Sequence, residues 1–280
     1  MNSSQGPNKG RSSPVAGSRG ETFVSRYYER VTQRSTTTNP GVFVPSSGRN
    51  SQPQTLLIDA DDTLWENNVY FERAIAQFIS FLNHRTFPPQ QVREVLNDIE
   101  RQNILRHGYG LHSFAHALVN TFEQLTVDPL TPELHQQIHS IAHEIAEHPM
   151  QLIAGVSETL QYLAPRHHLI LLTKGNITEQ SGKVERSGLG SYFSAIEIVA
   201  EKDIDAYRSI VDKYALARER TRMIGNSPKS DINPALAAGV NAVFVPHDNT
   251  WILEHEEVLR DGFTGTLLQL ESFAQLREVF

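Results

Sequence analysis

Thr55-Leu56-Leu57-Ile58-Asp59-Ala60-Asp61-Asp62-Thr63-Leu64 is the stretch from which the fold of this 280-residue chain is read. Its first four residues form a short apolar run between Pro53 and a cluster of carboxylates. Such a run predicts a strand buried on both faces, which belongs in a parallel sheet covered by helices. The polar half of the stretch would then lie at the carboxyl end of that strand, where open α/β sheets bind their ligands.

Downstream, helix and strand alternate. From Gly155 the spacing predicts a helix over Val156–Leu163, a strand over His168–Leu172, a helix over Thr178–Ser187 and a strand over Ile196–Val199. A helix over Ala206–Tyr214, a strand over Arg222–Ile224, a helix over Pro234–Ala238 and a strand over Asn241–Val245 complete the series. Strands separated by single helices imply right-handed parallel crossovers, hence an α/β, Rossmann-like core. Residues 66–150 break the alternation with four helical patterns: Val69–Asn83, the segment opened by Pro88-Pro89 through Ile99, Phe114–Leu125, and Pro132–Ile145. They read as a helical-bundle insertion after the first strand. The expected organisation is a tail over 1–50, a core over 51–65 and 151–280, and a helical cap over 66–150.

Composition limits the function. The chain has no cysteine, so disulfides, thiolate metal sites and Cys nucleophiles are excluded. No apolar run approaches the roughly 18 residues of a membrane span. Residues 1–50 hold seven of the 25 basic residues and two of the 32 acidic ones. The remaining 18 basic and 30 acidic residues give a body too acidic for phosphate-neutralising nucleic-acid binding. The tail is rich in Ser, Thr, Gly, Pro, Asn and Arg and is expected to be disordered, with a transient helix at most over Glu21–Val31. It lacks the apolar region of a secretory signal. Its Arg- and Ser-rich composition is shared with organelle transit peptides, but a variable extension is the plainer reading, and a cytoplasmic protein is expected.

Four polar sets follow four strands and so share one edge of the sheet: Asp59, Asp61 and Asp62; Thr173, Lys174, Gly175 and Asn176; Glu201, Lys202 and Asp203; and Gly225, Asn226, Ser227 and Asp231. Ionised carboxylates crowded together need a cation, and Mg²⁺ prefers oxygen ligands while leaving positions for phosphate and water. A lysine, a threonine hydroxyl and backbone N–H groups in tight turns are what a phosphoryl group needs around it. The set therefore points to phosphoryl transfer with a carboxylate nucleophile.

In this order the residues resemble the haloacid dehalogenase-like hydrolases. Leu57-Ile58-Asp59-Ala60-Asp61-Asp62-Thr63-Leu64 is similar to that family's first motif, an apolar strand followed by D-x-D-x-T. The strand ending at Thr173, Lys202, and Gly225–Asp231 resemble the second to fourth, and the insertion stands where the family carries its type-1 cap. The resemblance implies that Asp59 is the nucleophile, forming an aspartyl-phosphate, and that Asp61 is the acid–base group for both half-reactions. It implies that Thr173 and Lys202 hold the phosphoryl oxygens, and that Asp59, the backbone carbonyl of Asp61 and Asp231 hold Mg²⁺. The chain departs from the pattern twice. Asn226 stands where Asp is frequent, so it contributes a neutral ligand or acts through a water. Asp62 replaces the commoner glycine and must point outward or cap a backbone N–H.

The implied activity is Mg²⁺-dependent hydrolysis of a small phosphate monoester. A metal-free dehalogenase, a phosphomutase, or a binding protein that keeps the fold with weak catalysis are the alternatives. The expected partner is a small phosphorylated metabolite, because a cap excludes bulky substrates, and the chain is expected to be a monomer or homodimer. Arg106, His107 and Tyr109, in a cap loop, are candidates to touch the leaving group. Trp65 and Glu66 mark the exit towards the cap, as hinge or packing residues. His135, His139 and His143 share one helix stripe, a spacing suited to a transition metal but more simply a solvated face.

Overall fold

The computed structural model describes residues 52–82, 86–260 and 262–280. The expectations for the tail, and the predicted end of the first cap helix at Asn83, lie outside the described residues.

Strand β1 (Thr55–Ile58) runs through the middle of a six-stranded, wholly parallel sheet. The others are β2 (His168–Lys174), β3 (Ala195–Val199), β4 (Thr221–Gly225), β5 (Asn241–Phe244) and β6 (Leu267–Gln269), in the order β3-β2-β1-β4-β5-β6. Leu57 pairs in register with Ile170 of β2 on one side and Met223 of β4 on the other. Side chains alternate across a strand, so β1 feeds two cores. Leu56 and Ile58 pack in one with Leu169, Leu171, Val156, Leu160 and Leu276; Leu57 packs in the other with Ile170, Met223, Tyr207 and Ala235. All three β1 side chains are fully buried, each burial favouring folding by about 1.5–3 kcal/mol. This is the Rossmann-like α/β core that the apolar run predicts.

Several strand ends differ from expectation by one or two residues. β2 continues through Thr173 and Lys174 because β3 offers Ile198 and Val199 as partners. β4 includes Gly225, paired with Phe244. The edge strand β6 has only three residues and left no readable run.

After β1 the chain first forms four helices that make up the insertion, α1 (Asn68–Phe81), α2 (Pro89–His107), α3 (Leu111–Leu125) and α4 (Pro132–Glu147). They share a core of their own, including Phe78, Leu96, Leu118 and Ile138. The prolines at the first positions of α2 and α4 act as predicted, and Thr131 caps α4 by accepting from Leu134 N–H. The helices that cover the sheet are α5 (Val156–Leu163), α6 (Ile177–Ser187), α7 (Ile204–Lys213), α8 (Asn233–Ala237) and α9 (Leu276–Val279). A π-helical turn over Pro228–Ile232 precedes α8. No helix among the described residues is long and apolar enough to cross a membrane.

Candidate active site

Asp59 follows β1 directly, and its N–H donates to Ile224 C=O of β4, so the side chain emerges between two central strands. It is 6% exposed. One carboxylate oxygen accepts from Thr63 Oγ1 at 2.9 Å and the other from Lys202 Nζ. Lys202 Nζ also donates to Asp231 Oδ1 at 2.7 Å, so one buried ammonium serves two buried carboxylates. Burial and the neighbouring Asp59 carboxylate push Asp231 up, which Lys202 opposes without cancelling. The site is short of positive charge.

The approach of Asp231 depends on a glycine. A Cβ on Gly225 would lie 2.2 Å from Asp231 Oδ2, so only the bare backbone lets the carboxylate lie beneath the end of β4. Ser227 N–H then donates to Asp231 Oδ2 at 3.0 Å. Asn226 donates from Nδ2 to Thr250 Oγ1 at 2.9 Å and accepts at Oδ1 from Thr63 Oγ1 at 3.3 Å. Its amide oxygen therefore faces the Thr63–Asp59 side. Oxygen donors on Asp59, Asp231 and Asn226, with an uncompensated charge between them, fit a hard divalent cation such as Mg²⁺.

Asp61 is held from a different side. It accepts from Lys183 Nζ at 2.8 Å, Gln180 Nε2 at 2.9 Å and Trp65 Nε1 at 2.7 Å. Burial pushes its pKa up, but Lys183 and these hydrogen bonds outweigh that and hold it below the ordinary carboxylate value. Lys183 and Gln180 lie on α6, and their composition gave no warning of this role. Asp62 also lines the cavity, and its carboxylate accepts from the N–H groups of Asn67 and Asn68, at the start of α1. Its backbone φ is +59°, a left-handed conformation that Asp tolerates and glycine would adopt without strain. Asp62, Glu66 and His247 also bring ligand-capable atoms within 4.8 Å of one another.

The other predicted residues are distributed unevenly. Thr173 is buried at the cavity floor, its hydroxyl making only a long 3.4 Å bond to Gln180 Oε1. Gly175 and Asn176 line the cavity, and Asn176 caps α6 by accepting from Thr178 and Glu179 N–H. Lys174 is tied to Glu254 at 2.7 Å, Ser230 at 2.8 Å and Glu201 at 3.1 Å, and these carboxylates keep it protonated. Of the three cap-loop candidates, only Tyr109 reaches the cavity. Its hydroxyl donates to Glu201 Oε2 at 2.6 Å, and Lys174 Nζ lies 4.3 Å above its ring. Arg106 and His107 are exposed and do not line the cavity, because the last turn of α2 carries them away from it. His107 instead stacks on His116 of α3, and the helix stripe of the cap joins the same group through His139 and His116, with ring centres 6.2 Å apart. His143 is exposed.

Glu254 and Trp251, from the segment after β5, were not foreseen. Glu254 accepts from Ser227 Oγ at 2.7 Å as well as from Lys174, and Trp251 stands edge-on to Tyr109. Together with cap residues Phe71, Glu100, Ser113 and Phe114 they enclose a cavity of about 150 Å³ above Asp59. Glu179 closes one side: its carboxylate accepts from Leu111 N–H at 3.0 Å, docking the start of α3 on α6.

This fold, cap and carboxylate site define a family. The sequence model of the haloacid dehalogenase-like hydrolases matches residues 53–239, and the chain belongs to that family. A solved haloacid dehalogenase-like family hydrolase of Xanthomonas campestris is 29% identical, with a TM-score of 0.70 over 85% of this chain and 94% of that one. A 2-haloacid dehalogenase of Pseudomonas syringae shares the fold at 20% identity, with a TM-score of 0.53 over 81% and 98%. A phosphoserine phosphatase of Thermus thermophilus is 33% identical over 82 residues, 28% of this chain and about a third (33%) of that protein's length.

Proposed function

We propose that this hydrolase cleaves a small phosphate monoester in a Mg²⁺-dependent reaction. The observation that carries the reading is the buried pair Asp59 and Asp231 sharing the single ammonium of Lys202. A second buried carboxylate beside the nucleophile raises the cost of an empty site and is relieved by a cation. Displacement of halide from carbon by Asp59 gains nothing from it. The distant phosphoserine phosphatase relative supports the same side, while dehalogenases share the fold.

In this reading a carboxylate oxygen of Asp59 attacks phosphorus as the bond from phosphorus to the leaving oxygen breaks. Thr173 and Lys202 hold the phosphoryl oxygens. Asp61 is ionised in the free protein because Lys183 and its hydrogen bonds lower its pKa. A phosphate dianion arriving beside it favours the protonated form, and Asp61 then gives that proton to the leaving oxygen. Once the alcohol departs, Asp61 is again a carboxylate and takes a proton from the water that attacks the aspartyl-phosphate, releasing phosphate and Asp59. A bound Mg²⁺ on Asp59, Asp231, Asn226 and the Asp61 carbonyl would offset phosphate charge. The small cavity selects a leaving group of a few heavy atoms, in a monomer or homodimer acting on a metabolite.

The test is phosphate release from a panel of small esters with Mg²⁺ and with EDTA. Release that requires the metal is expected. Halide release from a 2-haloacid without metal, and no phosphate from any ester, would overturn the reading.

A further inference from the structure

One carboxylate at the cavity has no role in the chemistry above. Glu100, on α2 of the cap, lines the cavity and is 7% exposed. Its Oε2 is buried without a hydrogen-bond partner among the described residues. An unsatisfied buried carboxyl costs several kcal/mol unless a ligand supplies what it lacks. Nearby Arg93 is engaged by Glu72, with Nη1 donating to Oε2 at 2.9 Å. One turn on, Asn103 Nδ2 is also buried and unsatisfied, so the two do not complete each other.

The charge around the cavity shows what is missing. Seven carboxyl groups and three lysines line it, and no arginine does so among the described residues. Each lysine is already engaged: Lys202 with Asp59 and Asp231, Lys183 with Asp61, and Lys174 with Glu254 and Glu201. Asp62 and Glu179 are satisfied by backbone N–H groups. Glu100 shares the cavity lining with four aromatic residues, Phe71, Phe114, Tyr109 and Trp251. A carboxyl group and aromatic side chains lining one cavity suit a small cation.

We propose that Glu100 receives an ammonium group on the leaving group, so that the substrate is the phosphate ester of a small amino alcohol. This rests on the phosphatase reading. The phosphate sits at Asp59 on the core side, and the amine reaches the cap side of the same cavity. A leaving group with a carboxylate as well as an amine finds no arginine and no unpaired lysine there. The geometry therefore favours the bare amino alcohol over a phosphorylated amino acid. Burial pushes Glu100 up to about 8, with Glu72 adding to the shift and Arg93 opposing it, so the carboxyl is protonated until a cation arrives to ionise it.

The experiment compares O-phosphoethanolamine, ethyl phosphate and O-phosphoserine. Binding to the full chain carrying Asp59→Asn is measured by titration calorimetry with Mg²⁺, so that it reads out whether or not turnover occurs. The ratio of kcat/KM for the same esters is measured in the unsubstituted protein. The amine ester is expected to bind at least tenfold more tightly than ethyl phosphate and to exceed O-phosphoserine. Adding Glu100→Gln should bring the amine-to-ethyl ratio close to one. Equal affinity for the two small esters, a preference that survives Glu100→Gln, a greater affinity for O-phosphoserine, or no binding of any of them would each overturn the proposal. The comparison among esters in the protein with Glu100 intact decides even if Glu100→Gln fails to fold. Binding with the expected preference but no phosphate release from any ester would overturn the phosphatase reading alone, leaving a receptor for the same compounds.

Discussion

Asp59 and Glu100 are two buried carboxylates with opposite circumstances, and each makes a residue-level prediction. Asp59 has Thr63 and Lys202 as partners, so an amide of the same shape can keep the Thr63 contact while losing the power to attack. Asp59→Asn should lower phosphate release at least a thousandfold and leave the melting temperature within a few degrees. Release near the unsubstituted rate would remove Asp59 as nucleophile. Glu100 has no partner at Oε2 among the described residues and a pKa raised to about 8 by burial, against about 4.5 when unfolded. Between those values the folded protein holds a proton that the unfolded chain has released, so this group makes stability fall as pH rises from 4.5 through 8. The slope it contributes is at most about 1.4 kcal/mol per pH unit. In melts at pH 5, 7 and 8.5, Glu100→Gln should gain on the unsubstituted protein steadily as pH rises. A constant difference across that range would show that Glu100 ionises normally.

At the scale of elements, the loop between α2 and α3 holds cap to core. Tyr109 reaches Glu201 and Lys174 of the core, and Leu111 N–H is held by Glu179. Gly110 between them has φ +126°, and a Cβ there would lie 2.8 Å from the Glu179 carboxylate, so the loop's close approach requires glycine. Tyr109→Phe removes a hydrogen bond donated to a half-exposed carboxylate and a longer one accepted from Lys174 Nζ, a loss of roughly 1–1.5 kcal/mol. That should raise KM about five- to tenfold, with a smaller change in kcat, in steady-state assays of the best ester. An unchanged KM would mean that the loop does not hold the closed arrangement in solution.

The same elements show what sequence could convey. β1 and β2 were legible because a strand buried on both faces leaves an unbroken apolar run, whereas β4, with Arg222 inside it, was legible from the alternation of helix and strand. Asp59, Thr173 and Asp231 were legible because they stand at or just beyond such strands. Glu100, Lys183 and Glu254 were not, because their positions depend on packing between segments up to 122 residues apart, as with Lys183 and Asp61. On a helix such residues look like any solvated polar side chain. Arg106 and His107 were misplaced for a related reason: adjacency to Tyr109 in sequence says nothing about which way the end of α2 turns.

For the whole molecule, the cavity draws on every layer between Asp59 and Glu254 and on nothing before β1 among the described residues. The cap has its own apolar core, and β1 anchors the two cores of the sheet. Residues 1–50 carry a net charge of +5 and the rest of the chain −12, an attraction that screening over a Debye length of about 8 Å weakens in physiological salt. Removing residues 1–50 should therefore leave kcat/KM within about twofold and the melting temperature within a few degrees. The measurement pairs the full and shortened chains at low salt and at 0.15 M. A large loss of turnover at both would place a residue of the tail in the site, whereas a loss confined to low salt would make its contribution electrostatic and leave the site between Asp59 and Glu254 complete.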